Sequence, residues 1–112
     1  MAGDALGRLR KGREFDRVYA EGTVVGGPLF VVRALANDGE AARWGFAVGK
    51  KLAPGAVVRN RVRRRLREAA RLVGPFGSFD VVVTARPGVL GADFGRITSE
   101  LRRSLSRLES AK

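Results

Sequence analysis

Residues 57–73 read Val-Val-Arg-Asn-Arg-Val-Arg-Arg-Arg-Leu-Arg-Glu-Ala-Ala-Arg-Leu-Val, and the rest of the chain is best read outward from them. Val58, Val62, Leu66, Ala69, Ala70 and Val73 recur at three- and four-residue intervals, the spacing of one face of an α-helix. At about 100° per residue, Asn60, Arg63, Arg64, Arg67 and Arg71 fall opposite that stripe, while Arg59, Arg61 and Arg65 fall on its flanks. Gly74-Pro75 ends the helix. Between Arg59 and Arg71 stand seven arginines and one acid, Glu68, so this segment supplies +6 of a net +11. Solvated helices ordinarily interleave opposite signs four residues apart. This one barely does: it packs by one stripe and offers arginine over most of its remaining circumference.

On the N-terminal side of this helix, Leu29 to Ala36 is Val-rich and strand-like and is followed by the turn-former Asn37-Asp38-Gly39. Arg43 to Val48 reads as a second strand, expected to close an antiparallel hairpin with the first. On the C-terminal side, Phe79 to Ala85 contains Val81-Val82-Val83 and reads as a well-buried strand closed by Pro87. Phe94, Ile97, Leu101, Leu105 and Leu108 mark a terminal amphipathic helix capped near Asp93. Nearer the start, Arg13 to Glu21 is a short helix with Phe15, Val18 and Tyr19 on one side and Gly22 placed to end it. Another short strand fits Thr23 to Gly26, and residues 1–11 read as a flexible basic arm. The expectation is a single α+β domain over residues 1–112, an α-β-β(-β)-α-β-α sandwich with helices covering one sheet.

Charge narrows the function. Lys and Arg number 22 against 11 acids, with a sequence pI near 11.6, and 18 of the cations are Arg, whose planar fork pairs with phosphate at two points and stacks on bases. Such a chain needs a polyanion, and no basic helix carries the wide apolar face of a membrane-surface helix. No run of about 18 apolar residues is present and no apolar stretch follows the N-terminus, so a cytoplasmic protein without a membrane partner is expected. With no Cys and no His, disulfides, thiolate metal sites and the usual general base are absent. The closest carboxylate sets, Glu14 with Asp16 and Asp38 with Glu40, do not resemble a two-metal cluster. No catalytic residue, metal ligand or protein-bound cofactor is assigned.

The run Gly49-Lys50-Lys51 followed by Gly55-Ala56-Val57-Val58-Arg59-Asn60-Arg61-Val62-Arg63-Arg64-Arg65-Leu66-Arg67-Glu68 resembles the signature of the bacterial ribonuclease P protein family, a Lys-Lys pair before a basic Arg-Asn-Arg helix. The likeness extends over nearly the whole chain: Arg8-Leu9 with Phe15, Val18, Tyr19 and Gly22 is similar to the family's first helix, and Phe79 to Arg86 to its last strand. Two features depart from the pattern. Where the family often has Gly-Asn-Ala-Val, this chain has Ala53-Pro54-Gly55-Ala56-Val57, one residue longer, which leaves the loop geometry open, and several common lysines are Arg. The resemblance implies a fold like the second domain of a small-subunit ribosomal protein, with a left-handed strand–helix–strand crossover; spacing alone predicts the right-handed form. It implies a protein subunit that binds a catalytic RNA and the single-stranded 5′ leader of precursor tRNA, with Mg²⁺ required by the RNA. The catalytic RNA would meet Lys51, Arg59, Asn60, Arg61, Arg63, Arg64, Arg65 and Arg67. The leader would lie in a cleft between the first helix and the sheet.

The residues themselves agree with part of this. Phe15 and Tyr19, four apart on one helix face, offer flat surfaces to unpaired bases, although core packing explains the same spacing. Arg33 alternates with Leu29, Val31 and Leu35, so that strand face is not fully buried. Lys50 and Arg86, at strand ends, flank the same surface. Leader contacts are therefore expected at Phe15, Tyr19, Val31, Arg33, Lys50 and Arg86, with Trp44 and Phe46 left to the core. The rival function is a structural RNA-binding protein of ribosomal type, which explains the arginine helix but not the Lys-Lys and Arg-Asn-Arg spacing.

Overall fold

A computed structural model describes residues 7–10, 12–39, 41–73 and 77–110. The elements are β1 (Gly7–Arg8), α1 (Gly12–Glu21), β2 (Thr23–Gly26), β3 (Phe30–Ala36), β4 (Arg43–Ala47), α2 (Ala56–Val73), β5 (Phe79–Ala85), a 3₁₀ turn (Pro87–Gly91) and α3 (Phe94–Ser110). They form an α+β fold around one five-stranded sheet with strand order β1-β4-β5-β3-β2.

β5 organises the layers. Successive side chains of a strand point to opposite faces, so Val81-Val82-Val83 requires burial on both, and all three are fully buried. Val81 and Val83 enter the larger core with Trp44, Phe46 and the apolar stripes of α2 and α3. Val82 enters a smaller core with Leu9 and Val18, onto which Phe15 and Leu35 pack. Helices therefore lie on both faces of the sheet, α2 and α3 on one and α1 on the other. On α2, Val62, Leu66, Ala69 and Ala70 are buried while Val58 and Val73 pack at the edge. Full burial of a side chain such as Leu66 contributes roughly 1.5–3 kcal/mol. Asp93 caps α3 as expected, its Oδ1 accepting the Arg96 N–H at 2.8 Å.

The expected β3–β4 hairpin does not form. β5 lies between the two strands, antiparallel to β3 and parallel to β4, and the hairpin partner of β3 is β2. A strand apolar on both faces belongs in the middle of the sheet, and a β3–β4 hairpin would displace it from there. The turn chemistry at Asp38 (φ 60°) and Gly39 (φ 90°) is present, but the segment spans β5 instead of closing a tight loop. The reading of a flexible arm is corrected for residues 7–9: Gly7 and Arg8 pair in parallel with Arg43 and Trp44, and Leu9 is buried. Leu29, grouped above with the half-open face of the strand, lies in the larger core just before β3. Gly74-Pro75, Glu40, Lys11 and residues 1–6 lie outside the described residues.

Chirality gives the hand of the β4–α2–β5 crossover. Seen from the α2 side with β4 running upward, an L-residue whose side chain faces the viewer projects its carbonyl to the right. Trp44 is such a residue, and its carbonyl accepts the Leu9 N–H at 3.0 Å, so β1 lies to the right of β4 and β5 to the left. A path that rises in β4, returns through α2 in front and rises again on the left is left-handed, the hand that parallel connections almost never take.

Candidate nucleic-acid interface

The outer side of α2 follows the helical spacing only in part. Asn60, Arg61, Arg64 and Glu68 are exposed, and Arg59, Arg63, Arg65, Arg67 and Arg71 are half-buried. Several guanidiniums are committed to the protein itself. Arg59 Nη1 donates to the Ala53 and Pro54 carbonyls at 2.9 and 2.8 Å. The longer Ala53-Pro54-Gly55 loop is thereby pinned to the start of the helix. Arg65 Nη2 donates to the Ala92 carbonyl at 2.9 Å, just ahead of α3. Arg67 does not stand opposite the stripe: its guanidinium carbon lies 5.0 Å from the Phe46 ring centroid, a cation–π contact on the β4 side. Burial, then the positive charges of Arg8 and Arg71, lower the pKa of Arg67 from its ordinary value. Asn60 accepts from Arg63 Nη1 at 3.1 Å, so it orients a neighbouring arginine. Arg61 and Arg64 make no hydrogen bond or ion pair with any described residue, and Lys50 and Lys51 are exposed in the turn after β4. A local excess of positive charge that the protein does not neutralise suits phosphate.

The second surface lies across the sheet, on the α1 side. The register places Val31, Arg33 and Leu35 beside Thr84, Val82 and Asp80, with Arg43, Gly45 and Ala47 beyond. α1 covers one end of this face and leaves the other open. Phe15 lies on the covered end, half-buried over Gly45, so packing describes it better than a free platform for a base. Tyr19 is 43% exposed at the open end; its hydroxyl shares a 3.3 Å hydrogen bond with Thr84 Oγ1, and Arg33 stacks 5.0 Å from its ring centroid. Val31 is half-buried beside it, and Lys50 and Arg86 are exposed. Arg86 Nη1 donates to the Gly27 carbonyl at 3.1 Å, which leaves further donors on its guanidinium. The structure thus brings Tyr19, Val31 and Arg33 together around Thr84 on the α1 face of the sheet, with Phe15 beneath α1 and Lys50 and Arg86 at strand ends.

Sequence reasoning missed the group that seats α1. Arg43 donates to both oxygens of buried Asp80, at 2.9 and 2.7 Å, and to Glu14 Oε2 at 3.1 Å; Asn37 adds a bond to Asp80 at 3.1 Å. This network ties the start of α1 to β4 and β5. Its one sequence signal was Asp80, a carboxylate inside an apolar strand, which requires a buried partner. Among the described residues no group of three or more His, Cys, Asp or Glu gathers as for a metal, and no helix is long and apolar enough to cross a membrane.

Comparison with known proteins decides the family. The family model described as Ribonuclease P matches residues 5–109. This chain belongs to the ribonuclease P protein family. A ribonuclease P protein component of Gluconacetobacter diazotrophicus is 44% identical over 108 residues, covering 93% of this chain and 92% of that protein. The ribonuclease P protein of Staphylococcus aureus superposes with a TM-score of 0.78 at 31% identity, covering 88% of this chain and 92% of its own. That of Thermotoga maritima gives 0.78 at 31% identity, with 89% and 96% covered. The chain spans about nine-tenths of these ribonuclease P proteins and shares its fold with the two solved structures.

Proposed function

We propose that this chain is the protein subunit of ribonuclease P, binding a catalytic RNA through α2 and the 5′ leader of precursor tRNA in the cleft between α1 and the sheet. It assists endonucleolytic removal of the leader, which produces the mature tRNA 5′ end, and it works in the cytoplasm. The observation that carries this reading is the pairing of two unlike surfaces on opposite sides of one sheet. The α2 side, with Lys51, Asn60, Arg61, Arg63 and Arg64, offers cations in number, the pattern for a structured phosphate backbone. The opposite side offers Tyr19 stacked with Arg33, a flat polar-rimmed platform suited to unpaired bases. Arg59, Arg65 and Arg67 support the RNA face by holding its loop and flanks, with donors left over for phosphate.

Hydrolysis of a phosphodiester needs an activated water and stabilisation of developing charge. The RNA partner and its Mg²⁺ supply both; the protein positions substrate. Leader removal by a bacterial ribonuclease P RNA at limiting Mg²⁺ is the test: the protein should restore cleavage there, and RNA-free protein should leave precursor tRNA intact at every Mg²⁺ concentration. Cleavage at the mature 5′ end by RNA-free protein, lost on substitution of one of its carboxylates, would refute the assignment of catalysis to RNA.

A further inference from the structure

From the outer face of α3 we infer a second anchorage for the phosphate backbone of the catalytic RNA, beside the one on α2; this rests on the reading of α2 as the RNA-binding helix. α3 buries Ile97, Leu101, Ser104, Leu105 and Leu108 and turns the opposite side to solvent. That side carries Arg96, Arg103 and Arg107, separated by the small residues Ser99, Ser106 and Ser110, all exposed. A shallow depression near the end of the helix is lined by Arg103, Ser106, Arg107 and Ser110.

Helix stability does not account for these arginines. Arg103 and Arg107 are like charges four residues apart, which disfavours a helix. Arg96 sits in the first turn, where the helix dipole opposes a cation; only Arg107, in the last turn, is favoured by it. Glu100 stands four residues from Arg96 and three from Arg103, yet neither arginine forms an ion pair among the described residues. The serines leave room for a bulky backbone to approach, and hydroxyls donate to phosphate oxygens as Arg does. α2 and α3 pack against each other on the same face of the sheet, and Arg65 of α2 reaches the residue that precedes Asp93, the α3 cap. Their outer sides therefore form one basic surface, and helices in contact lie about 8–10 Å apart, so an RNA seated on α2 passes beside α3.

The test measures binding of the full chain to a bacterial ribonuclease P RNA transcript as a function of salt. R96Q/R103Q/R107Q should flatten the log–log salt slope by about 2.4, since each lost phosphate contact removes roughly 0.7–0.9. R61Q/R64Q, on α2, should flatten it by about 1.5. If R61Q/R64Q flattens the slope and the α3 variant keeps the parental one, the α3 site is overturned and the α2 reading stands. If both variants keep the parental slope, the two readings fall together. The chain has no cysteine, so an iron chelate tethered at S106C provides a second measurement that removes no arginine. Localised scission of the RNA backbone from that position supports the site; uncut RNA in the bound complex overturns it.

Discussion

Gly45→Ala tests how α1 is seated and what depends on it. A Cβ at position 45 would meet Phe15 Cε2 and Cζ at 2.5 Å and Leu9 Cδ1 at 3.3 Å. Carbon atoms rest at about 3.5–4.0 Å, so the ring has to retreat by roughly 1 Å. The ring sits between α1 and the sheet, packed on the cluster of Leu9, Val18 and Val82, so its retreat lifts α1. Overpacking of this kind costs roughly 1–3 kcal/mol. Ala in place of Gly returns about 0.5–1 kcal/mol by restricting the unfolded chain. The balance is a loss of about 1–2 kcal/mol, read from urea unfolding followed by Trp44 fluorescence, since Trp44 is buried next to the altered position. Phe15→Leu in the same chain removes the clashing atoms, so the double variant should recover much of the loss, with a coupling of about 1 kcal/mol in a double-mutant cycle. Because Tyr19 rides on the same helix, Gly45→Ala should also weaken discrimination of precursor from mature tRNA while leaving affinity for the catalytic RNA intact. A Gly45→Ala protein as stable as the parent, or a strictly additive double variant, would refute the packing argument.

Three further substitutions separate packing from recognition. Tyr19→Ala, at an exposed position, should fold normally and lose roughly 1–3 kcal/mol of discrimination for leader-bearing substrate, measured as the ratio of affinities for precursor and mature tRNA; unchanged discrimination would move the leader off this face. Arg59→Ala should act on the fold as well as on binding: it removes the charged donor to the Ala53 and Pro54 carbonyls and should lower stability by about 1–2 kcal/mol in urea titrations. Asp80→Ala leaves Arg43 and Asn37 without their shared acceptor; breaking a buried pair costs about 3–5 kcal/mol, and Arg43, with a third of its side chain exposed and Glu14 still in reach, keeps the loss nearer 2–3 kcal/mol in the same assay.

What could be read in the sequence follows from which forces are local. α2 was legible because its stripe and its arginines obey a single period, and α3 for the same reason. The β3–β4 hairpin was misread because Asn37-Asp38-Gly39 encodes only the bend: Asp38 and Gly39 adopt the left-handed angles, but a turn signal does not say which strand comes next in the sheet. That information lay 42 residues beyond Gly39, in three consecutive valines that have to be central. Leu9, one apolar residue between Arg8 and Arg10, carries no periodicity, so β1 was invisible until the edge of β4 existed for it to pair with. The arginines expose the same limit from another side. Charge predicts the sign of a surface, while the destination of a guanidinium depends on carbonyls and rings that only the fold supplies: Ala53 and Pro54 for Arg59, Ala92 for Arg65, Phe46 for Arg67.

The layered architecture makes the two proposed RNA surfaces separable. β5 has one core on each side, as do β3 and β4 beside it, so disturbance of the smaller core beneath α1 reaches the larger one only through strands hydrogen-bonded to one another. α1 is fixed by the small core and by the Glu14–Arg43–Asp80 network, whereas α2 is fixed by the large core and by Arg59, Arg65 and Arg67. Changes that loosen the leader cleft should therefore leave the RNA anchor intact, and the reverse. The rigid sheet between them holds the distance from anchor to cleft constant. On the proposed function a fixed offset is what the protein contributes: presenting the leader at a set distance from the RNA's catalytic centre converts an encounter into an intramolecular event.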